Sequence, residues 1–198
     1  MMLMKPLQNL DKYQVLLASN SPRRRQLLAD LGVNFTVAAL SDVDESYPED
    51  TPPEDVAPLI SLKKAKAYSR LITSNQLIIT ADTVVICREK VIGKPTSIDD
   101  AKRMLCFLSG VTHTVVTGVT ITTADRQTTF KTSSDVEFAP LTDDEIDYYV
   151  EQYKPLDKAG AYGIQEWIGC AAIRGINGSF YNVMGLPVQR LYNELKTF

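Results

Sequence analysis

The chain has 198 residues, of which 44% are hydrophobic and 23% charged, and its formal net charge is −3. This composition is typical of a globular protein with one good core and at most two small lobes. The acidic excess argues against a general nucleic-acid binder, which would carry a basic surplus. No apolar run approaches the roughly 20 residues that a membrane-spanning helix needs, so neither a nucleic-acid nor a membrane partner is expected.

Two features of the sequence predict a cytoplasmic protein. The first fourteen residues do not resemble a signal peptide, and the cysteines are typical of a reducing compartment. Residues 1–14 contain a proline and no long apolar run. Cys87, Cys106 and Cys170 are far apart and have apolar neighbours, so we interpret them as buried free thiols of a reducing compartment. The single histidine, His113, has no cysteine or histidine near it in sequence, which nearly excludes a histidine-based zinc site.

The pattern of apolar residues, caps and turns predicts strands and helices along the whole chain. Residues 41–50 form an acidic loop, and Pro58 suggests that the helix around it starts late or kinks. Ala81 and Asp82 are expected to separate two strands. In chain order, we predict strand 13–18, helix 22–31, strand 34–39, helix 51–71, strands 77–80, 83–87 and 91–92, a helix capped at 97 and ending at 108, strands 112–123 and 128–138, helix 142–152, a hairpin of 168–173 with 180–183, and helix 187–196. This order predicts a mixed α/β protein, with a long twisted mixed sheet flanked by helices.

The turn at 19–25 carries two serines, a proline and three arginines between a predicted strand and a predicted helix. Ser21 suits the N-cap and Pro22 the first helical position, so the arginines fall in the first turn. The helix dipole disfavours cations at that end, and an anion bound among them would remove this cost. Backbone N–H groups, hydroxyls and guanidinium groups together suit a polyphosphate. The alternative interpretation is a solvated arginine run beside a helix start.

Three further segments carry candidate functional groups. Asp82 interrupts an apolar run, where a carboxylate either caps a turn or binds a metal or deprotonates water. Lys63 and Lys64 lie in a predicted helix and are either solvated or functional, whereas Lys94 lies between a glycine and a proline that can aim its ammonium inward. Residues 155–165 include two glycines and two alanines, which permit close approach of a ligand to the backbone.

The segment 155–165 has a second interpretation as a surface loop. Against it, Leu156, Tyr162 and Ile164 are apolar enough to anchor the segment inside the protein.

In this order, the segments resemble the Maf family of nucleoside triphosphate pyrophosphatases. The likeness covers about 15–195 and rests on short motifs at 18–24, 62–67, 81–83, 93–95, 108–110, 157–165, 177–179 and 184–187. The resemblance implies a single Maf-like catalytic domain over 14–198, with an inosine-triphosphatase-like fold in which a cleft lies between two lobes. It leaves 1–13 as an N-terminal extension without an assigned role.

The same resemblance implies hydrolysis of a nucleoside triphosphate to the monophosphate and pyrophosphate with a divalent cation, Mg²⁺ or Mn²⁺. The segment that ends at Gln165 is similar to the branch acting on dTTP and UTP, and differs from the branch acting on 7-methyl-GTP. Asp82 is the implied proton acceptor, while Arg23, Thr83 and Gln165 are implied to set base specificity. The resemblance also implies a homodimer.

These assignments give a predicted mechanism. The triphosphate is expected on the helix N-terminus, and Lys64 and Lys94 are expected to neutralise the departing pyrophosphate. The substrate-binding set is Ser19, Ser21, Arg23, Arg24, Thr83 and Gln165. Where the family often has glutamate this chain has Gln26, so Asp44 or Glu45 is expected to supply a second metal-binding carboxylate beside Asp82, and we select Glu45.

Three alternatives remain open at the level of sequence. The first is a nucleotide-binding regulator of cell division without turnover, since family members are associated with septum formation. A pure binder would not need Asp82 in its polar gap, which favours the enzyme. The second is a pyrophosphatase for 7-methyl-GTP or another modified nucleotide, against which Gln165 and its neighbours argue. Within the main interpretation, the substrate is either canonical dTTP and UTP or a modified pyrimidine nucleotide. The third is a phosphate-binding structural protein.

Overall fold

The computed structural model describes residues 6–38, 43–69 and 72–198. The strands are β1 (Gln14–Leu17), β2 (Thr36–Val37), β3 (Gln76–Cys87), β4 (Lys90–Ile92), β5 (Thr112–Thr122), β6 (Gln127–Phe138) and β7 (Ile173–Asn177). The helices are α1 (Pro22–Asp30), α2 (Pro53–Ser69), α3 (Ile98–Leu108), α4 (Asp143–Tyr153), α5 (Trp167–Ala171), α6 (Phe180–Met184) and α7 (Val188–Leu195), and 3₁₀ helices lie at Gln8–Lys12 and Ala159–Ala161. No helix within these described ranges combines the length and apolarity that crossing a bilayer requires.

The strands form one mixed sheet in the order β2-β1-β3-β5-β6-β7, with β4 paired to β3. Strand β1 is parallel to both β2 and β3, whereas β4 and β7 are antiparallel to β3 and β6. The predicted mixed α/β class is therefore confirmed. The chain divides into two compact units, the first made of 1–82, 117–132 and 185–198 and the second of 83–116 and 133–184.

In the first unit, α2 lies against β5 with almost no space between the two backbones. A Cβ added to Gly118 would overlap the backbone of Ala57 and Pro58. Pro58 has no N–H to satisfy, and Gly118 has no side chain to place between helix and strand. The helix begins at Pro53 and runs through Pro58, so the expectation of a late start is wrong.

Other predicted boundaries also need correction. Strand β3 continues through Ala81 and Asp82 without a break. Of the predicted strand 34–39, β2 includes Thr36 and Val37 but not 34, 35 or 38, and residue 39 lies outside the described residues. The predicted hairpin at 168–183 is wrong, because its two apolar runs form α5 and α6 around the single strand β7. Ser179 accepts a hydrogen bond from the Asn182 N–H and so starts α6 as a helix.

The second unit has its own apolar core beneath α3 and α4. The expected caps start both helices, since Ser97 accepts from the Asp100 N–H and Thr142 forms a capping box with Glu145. Its largest buried side chains include Leu105, Leu108, Phe138, Tyr149 and Ile168.

All three cysteines are free, but the expectation that they are buried holds for Cys87 alone. Cys106 and Cys170 are exposed, so apolar neighbours in sequence did not predict their environment.

His113 lies in this core and is 2% exposed. Its Nε2 is 2.8 Å from the hydroxyl oxygen of Tyr162, and its ring packs edge-on against Phe138. Burial lowers the pKa of the imidazole to about 4, although a hydrogen bond with the Val111 backbone and the negative charge of Asp135 act in the opposite direction.

Because the folded protein holds His113 neutral, we expect its stability to fall in acid. Between pH 6.5 and about 4, the unfolded chain binds a proton at this residue and the folded protein does not. The free energy of unfolding therefore decreases as the pH falls through this window, by roughly 3 kcal/mol in total. The ring protons of the single histidine titrate alone in an NMR spectrum, which measures this pKa directly.

Two observations would contradict this account of His113. One is titration of the ring near pH 6.5 in the folded protein. The other is an unchanged pH dependence of unfolding in His113→Gln, which keeps a polar side chain but cannot titrate.

Candidate active site

The turn between β1 and α1 is organised by two hydroxyls. Ser19 Oγ accepts a hydrogen bond from the Ser21 N–H at 3.2 Å, and Ser21 Oγ accepts from the Arg24 N–H at 3.4 Å. Pro22 is the first residue of α1, and no acidic residue lies in its first turn. The predicted N-cap and the predicted position of the arginines are confirmed.

Arg24 joins this turn to two other parts of the first unit. Its Nε donates to the carbonyl oxygen of Gly185 and its Nη1 to that of Ala81, both at 2.8 Å. Burial lowers the pKa of Arg24, and the nearby charge of Asp82 acts in the opposite direction. These contacts fix the backbone immediately before Asp82 relative to the first turn of α1.

Asp82 forms an ion pair with Lys64. The Lys64 Nζ lies 2.7 Å from Asp82 Oδ1 and 2.9 Å from Glu45 Oε1. The side chains of Lys64 and Asp82 are only 14% and 12% exposed, while that of Glu45 is 46% exposed. One ammonium group therefore brings two carboxylates together beside the α1 turn.

A second contact between the same elements explains why Lys64 faces Asp82. The Thr80 hydroxyl donates to the carbonyl oxygen of Ser61 at 2.8 Å. Thr80 and Asp82 are two residues apart on β3 and so share a face of the strand, while Ser61 and Lys64 are three apart on α2 and share a face of the helix. The hydroxyl contact thus aligns α2 with β3, and the ion pair follows one helical turn later.

The structure also distinguishes the two carboxylates proposed for the acidic loop. Asp44 is 74% exposed on its side chain and lies 3.5 Å from Lys63. Its carboxylate accepts hydrogen bonds from Ser46, which lower the pKa of Asp44. Gln26 is exposed and donates to Asp30 on its own helix. Of these two candidates, Glu45 is the one that shares a lysine with Asp82.

A divalent cation is compatible with this pair of carboxylates. Among the described residues there is no cluster of three or more metal-binding side chains. Mg²⁺, however, is commonly held by one or two carboxylates together with substrate phosphates and water. Asp82 and Glu45 already converge on one positive group, Lys64 Nζ, so their chemistry fits a cation that arrives with a phosphorylated substrate.

The second unit carries the other predicted site residues. Thr83 is half-buried, while Lys94 and Gln165 are exposed. The Gly160 N–H donates to the carbonyl oxygen of Gly93 at 3.0 Å, which joins the Lys94 loop to the segment that leads to Gln165. The exposure of Lys94 does not support the expectation that this loop aims its ammonium inward.

The family assignment rests on sequence. The family model described as Maf-like protein matches residues 14–198. The chain belongs to the Maf family.

Curated relatives of this Maf-family protein match it over almost their whole length. Proteins named dTTP/UTP pyrophosphatase from Phocaeicola vulgatus and Bacteroides thetaiotaomicron are each 54% identical to it, over 190 and 188 residues. These matches cover 96% and 95% of this chain and 98% and 97% of the relatives. A protein of the same name from Porphyromonas gingivalis is 53% identical over 194 residues, 97% of this chain and 98% of the relative.

Among solved structures, a HAM1 protein from Coxiella burnetii matches this Maf-family protein with a TM-score of 0.48 and 12% identity. The match covers 94% of this chain and all of that one.

In the segment before Gln165, the expected anchoring is confirmed for Tyr162 and Ile164, which are buried. It is wrong for Leu156, which is 41% exposed.

The polar groups that hold this segment of the Maf-family protein were not predicted from its sequence. Tyr149 donates to Glu166, and Glu166 pairs with Lys158 at 3.1 Å. Tyr149 and Glu166 are 17 residues apart on different elements, so no local spacing signals their contact.

Proposed function

We propose that this Maf-family protein hydrolyses dTTP and UTP to the corresponding monophosphates and pyrophosphate. The names and the 52–54% identity of relatives that match nearly the full chain support the substrate class. The structural observation that carries the proposal is the Lys64 ammonium shared by Asp82 and Glu45. We also propose that 14–198 acts as one catalytic domain in the cytoplasm, as a homodimer, and we propose no role for 1–13.

In the proposed reaction, a water oxygen forms a bond to the α-phosphorus as the bond between that phosphorus and the α–β bridging oxygen breaks. Asp82 accepts the water proton, and pyrophosphate leaves. Lys64 contacts Asp82 through Oδ1, and the second carboxylate oxygen, Oδ2, is our candidate for the proton acceptor. Positive side chains lower the barrier because negative charge develops on the departing group.

The triphosphate is proposed to lie at the N-terminus of α1. The free N–H groups there, the hydroxyls of Ser19 and Ser21 and the guanidinium of Arg23 suit phosphate oxygens. Arg24 donates hydrogen bonds to two backbone carbonyl oxygens. These contacts support a structural role for Arg24 in this turn, in addition to its proposed role in binding phosphate. Lys64 and Lys94 are proposed to neutralise the pyrophosphate.

Asp82 and Glu45 are the residues proposed to hold a divalent cation, Mg²⁺ or Mn²⁺. When bound, the cation supplies positive charge against the triphosphate oxygens. Removing divalent cations with EDTA is therefore expected to abolish turnover, and adding Mg²⁺ or Mn²⁺ to restore it.

Base specificity is proposed to depend on Gln165 and Thr83. A glutamine amide offers one donor and one acceptor group, which match the O4 and N3–H of uracil and thymine. We expect Gln165→Ala to lower kcat/KM for UTP about tenfold while that for CTP changes little, because the loss of one or two hydrogen bonds is worth about 1–2 kcal/mol. Thr83→Ala should lower the ratio of kcat/KM for UTP to kcat/KM for CTP by a smaller factor. Steady-state kinetics with both nucleotides measures the effect, and an unchanged ratio in both variants would contradict these assignments.

The test of the proposed function is the release of pyrophosphate from a panel of nucleoside triphosphates. The panel includes dTTP, UTP, CTP, dATP, GTP, a 5-substituted UTP and 7-methyl-GTP, each with and without Mg²⁺ or Mn²⁺. We expect metal-dependent release, in equal amounts with the monophosphate, from dTTP and UTP. Binding of these nucleotides without product would favour a regulator of cell division, and preferential turnover of 7-methyl-GTP would favour the other branch.

A further inference from the structure

The segment that carries Gln165 is held by a buried polar network in the second unit. The Tyr149 side chain is fully buried, and its hydroxyl oxygen accepts from the Gly163 N–H at 3.0 Å. The same hydroxyl donates a hydrogen bond to Glu166 Oε2. Lys158 is 8% exposed, and its ammonium lies 3.1 Å from Glu166 Oε1. One tyrosine hydroxyl therefore binds the segment on both sides of Gln165, at Gly163 and at Glu166.

Close packing leaves the backbone of this segment little freedom. A Cβ at Gly163 would lie 2.9 Å from the Glu166 carboxylate and 3.0 Å from Lys158 Cε. A Cβ at Gly169 would overlap the carbonyl group of Ile164. The backbone contact at Gly169 therefore excludes any side chain at that position, whereas a side chain at Gly163 would require the ends of Glu166 and Lys158 to shift.

Gln165 itself is exposed, between Ile164, which is 8% exposed, and Glu166, whose side chain is 23% exposed. An exposed amide on a fixed backbone is suited to recognise one edge of a ligand, because its donor and acceptor start from a defined position. The same amide on a mobile backbone can move, and so can form hydrogen bonds with ligand edges that differ in their donors and acceptors.

We propose that Tyr149, Glu166 and Lys158 form a positioning network that restricts the protein to uracil and thymine through the placement of Gln165. The inference rests on the proposed function. Uracil and thymine present an acceptor at O4 and a donor at N3, whereas cytosine presents a donor at N4 and an acceptor at N3. A glutamine amide that turns over and shifts can pair with either pattern, so discrimination against cytosine requires that its position be fixed.

Tyr149→Phe tests the network, because it removes one hydroxyl and keeps the ring that stacks on Tyr153. We expect the ratio of kcat/KM for UTP to that for CTP to fall about fivefold to tenfold, as for the loss of about one hydrogen bond. The change should appear in KM, while kcat with UTP stays within about twofold to threefold. Tyr148→Phe is the matched control, since it removes an exposed hydroxyl from the adjacent residue of α4, and its ratio should equal that of the wild type.

A double-mutant cycle with Gln165→Ala separates positioning from general loosening of the fold. If the network acts through Gln165, Tyr149→Phe has no further effect on the ratio in the Gln165→Ala background. A similar fall in both backgrounds, or no fall in folded Tyr149→Phe, overturns the inference.

Glu166→Gln provides a second variant if Tyr149→Phe does not fold. The glutamine retains an acceptor for the Tyr149 hydroxyl but loses the ion pair with Lys158. The ratio of kcat/KM for UTP to that for CTP should therefore fall less than in Tyr149→Phe. An unchanged ratio in folded Glu166→Gln would then overturn the inference. A wild-type protein that hydrolyses neither UTP nor dTTP would overturn the proposed function and this inference together, whereas normal UTP turnover with an unchanged ratio overturns the inference alone.

Discussion

Replacement of Asp82 by asparagine is expected to lower kcat for pyrophosphate release from UTP by about 10²- to 10⁴-fold, the usual contribution of a general base. Asparagine has nearly the same shape and still accepts a hydrogen bond from Lys64 through its carbonyl oxygen, but it cannot take up the proton of water. Nucleotide binding should therefore persist. Single-turnover kinetics gives the rate of the chemical step, and calorimetry with UTP gives the affinity.

Asp55→Asn is the matched control for this substitution. Asp55 belongs to the same unit and pairs with Lys131 at 2.6 Å, but both side chains are largely exposed. Its removal should leave kcat unchanged. Turnover of Asp82→Asn within tenfold of the wild type would show that another group accepts the proton.

Gly118→Ala is expected to have the largest effect on stability. The added methyl group would overlap the backbone of Ala57 and Pro58, and neither a helix backbone nor a central strand can move aside at little cost. We expect the free energy of unfolding to fall by about 3 kcal/mol or more, which is the upper end of the range for substitutions that overpack a core. Urea denaturation followed by circular dichroism measures it. Because Ser61 and Lys64 lie on the same helix as Pro58, activity should fall with stability.

Gly175→Ala serves as the control for Gly118→Ala. Gly175 is also a strand glycine, and a Cβ there would have only a Glu137 carboxylate oxygen within 4.0 Å. Its substitution should change the free energy of unfolding by less than about 1 kcal/mol. Equal effects of the two substitutions would mean that α2 and β5 are not packed as closely as described.

The features predicted well from sequence depend on contacts between near neighbours. Ser21, Ser97 and Thr142 each accept a hydrogen bond from an N–H three residues later, so the signal for the helix start lies within a short stretch. The mixed α/β class also followed from the order of the apolar runs.

The features predicted wrongly have two different causes, a partner far away in sequence and a run too short to show its period. Asp82 was expected to break β3 because a buried carboxylate is costly, but Lys64, 18 residues earlier, compensates its charge. The runs at 168–173 and 180–183 are too short for their apolar pattern to distinguish a strand from a helix.

The arrangement of the site was only partly accessible from sequence. The residue pattern itself indicated the turn at 19–25 and the candidates Asp82, Lys64 and Lys94. The resemblance added Thr83 and Gln165 and the roles of the candidates, and the position of Ser21 and the arginines followed from the helix start. The convergence of Glu45 and Asp82 on Lys64 depends on how α2 lies on β3, which buried hydroxyls such as Ser61 and Thr80 determine. Those hydroxyls have no signature in the sequence.

The central claim is that water attacks the α-phosphorus of a pyrimidine nucleoside triphosphate. The most direct test is hydrolysis of UTP by the wild-type protein in water enriched in ¹⁸O, followed by mass spectrometry of both products. We predict one ¹⁸O atom in UMP and unlabelled pyrophosphate. Label in the pyrophosphate, or release of orthophosphate in its place, would contradict the account.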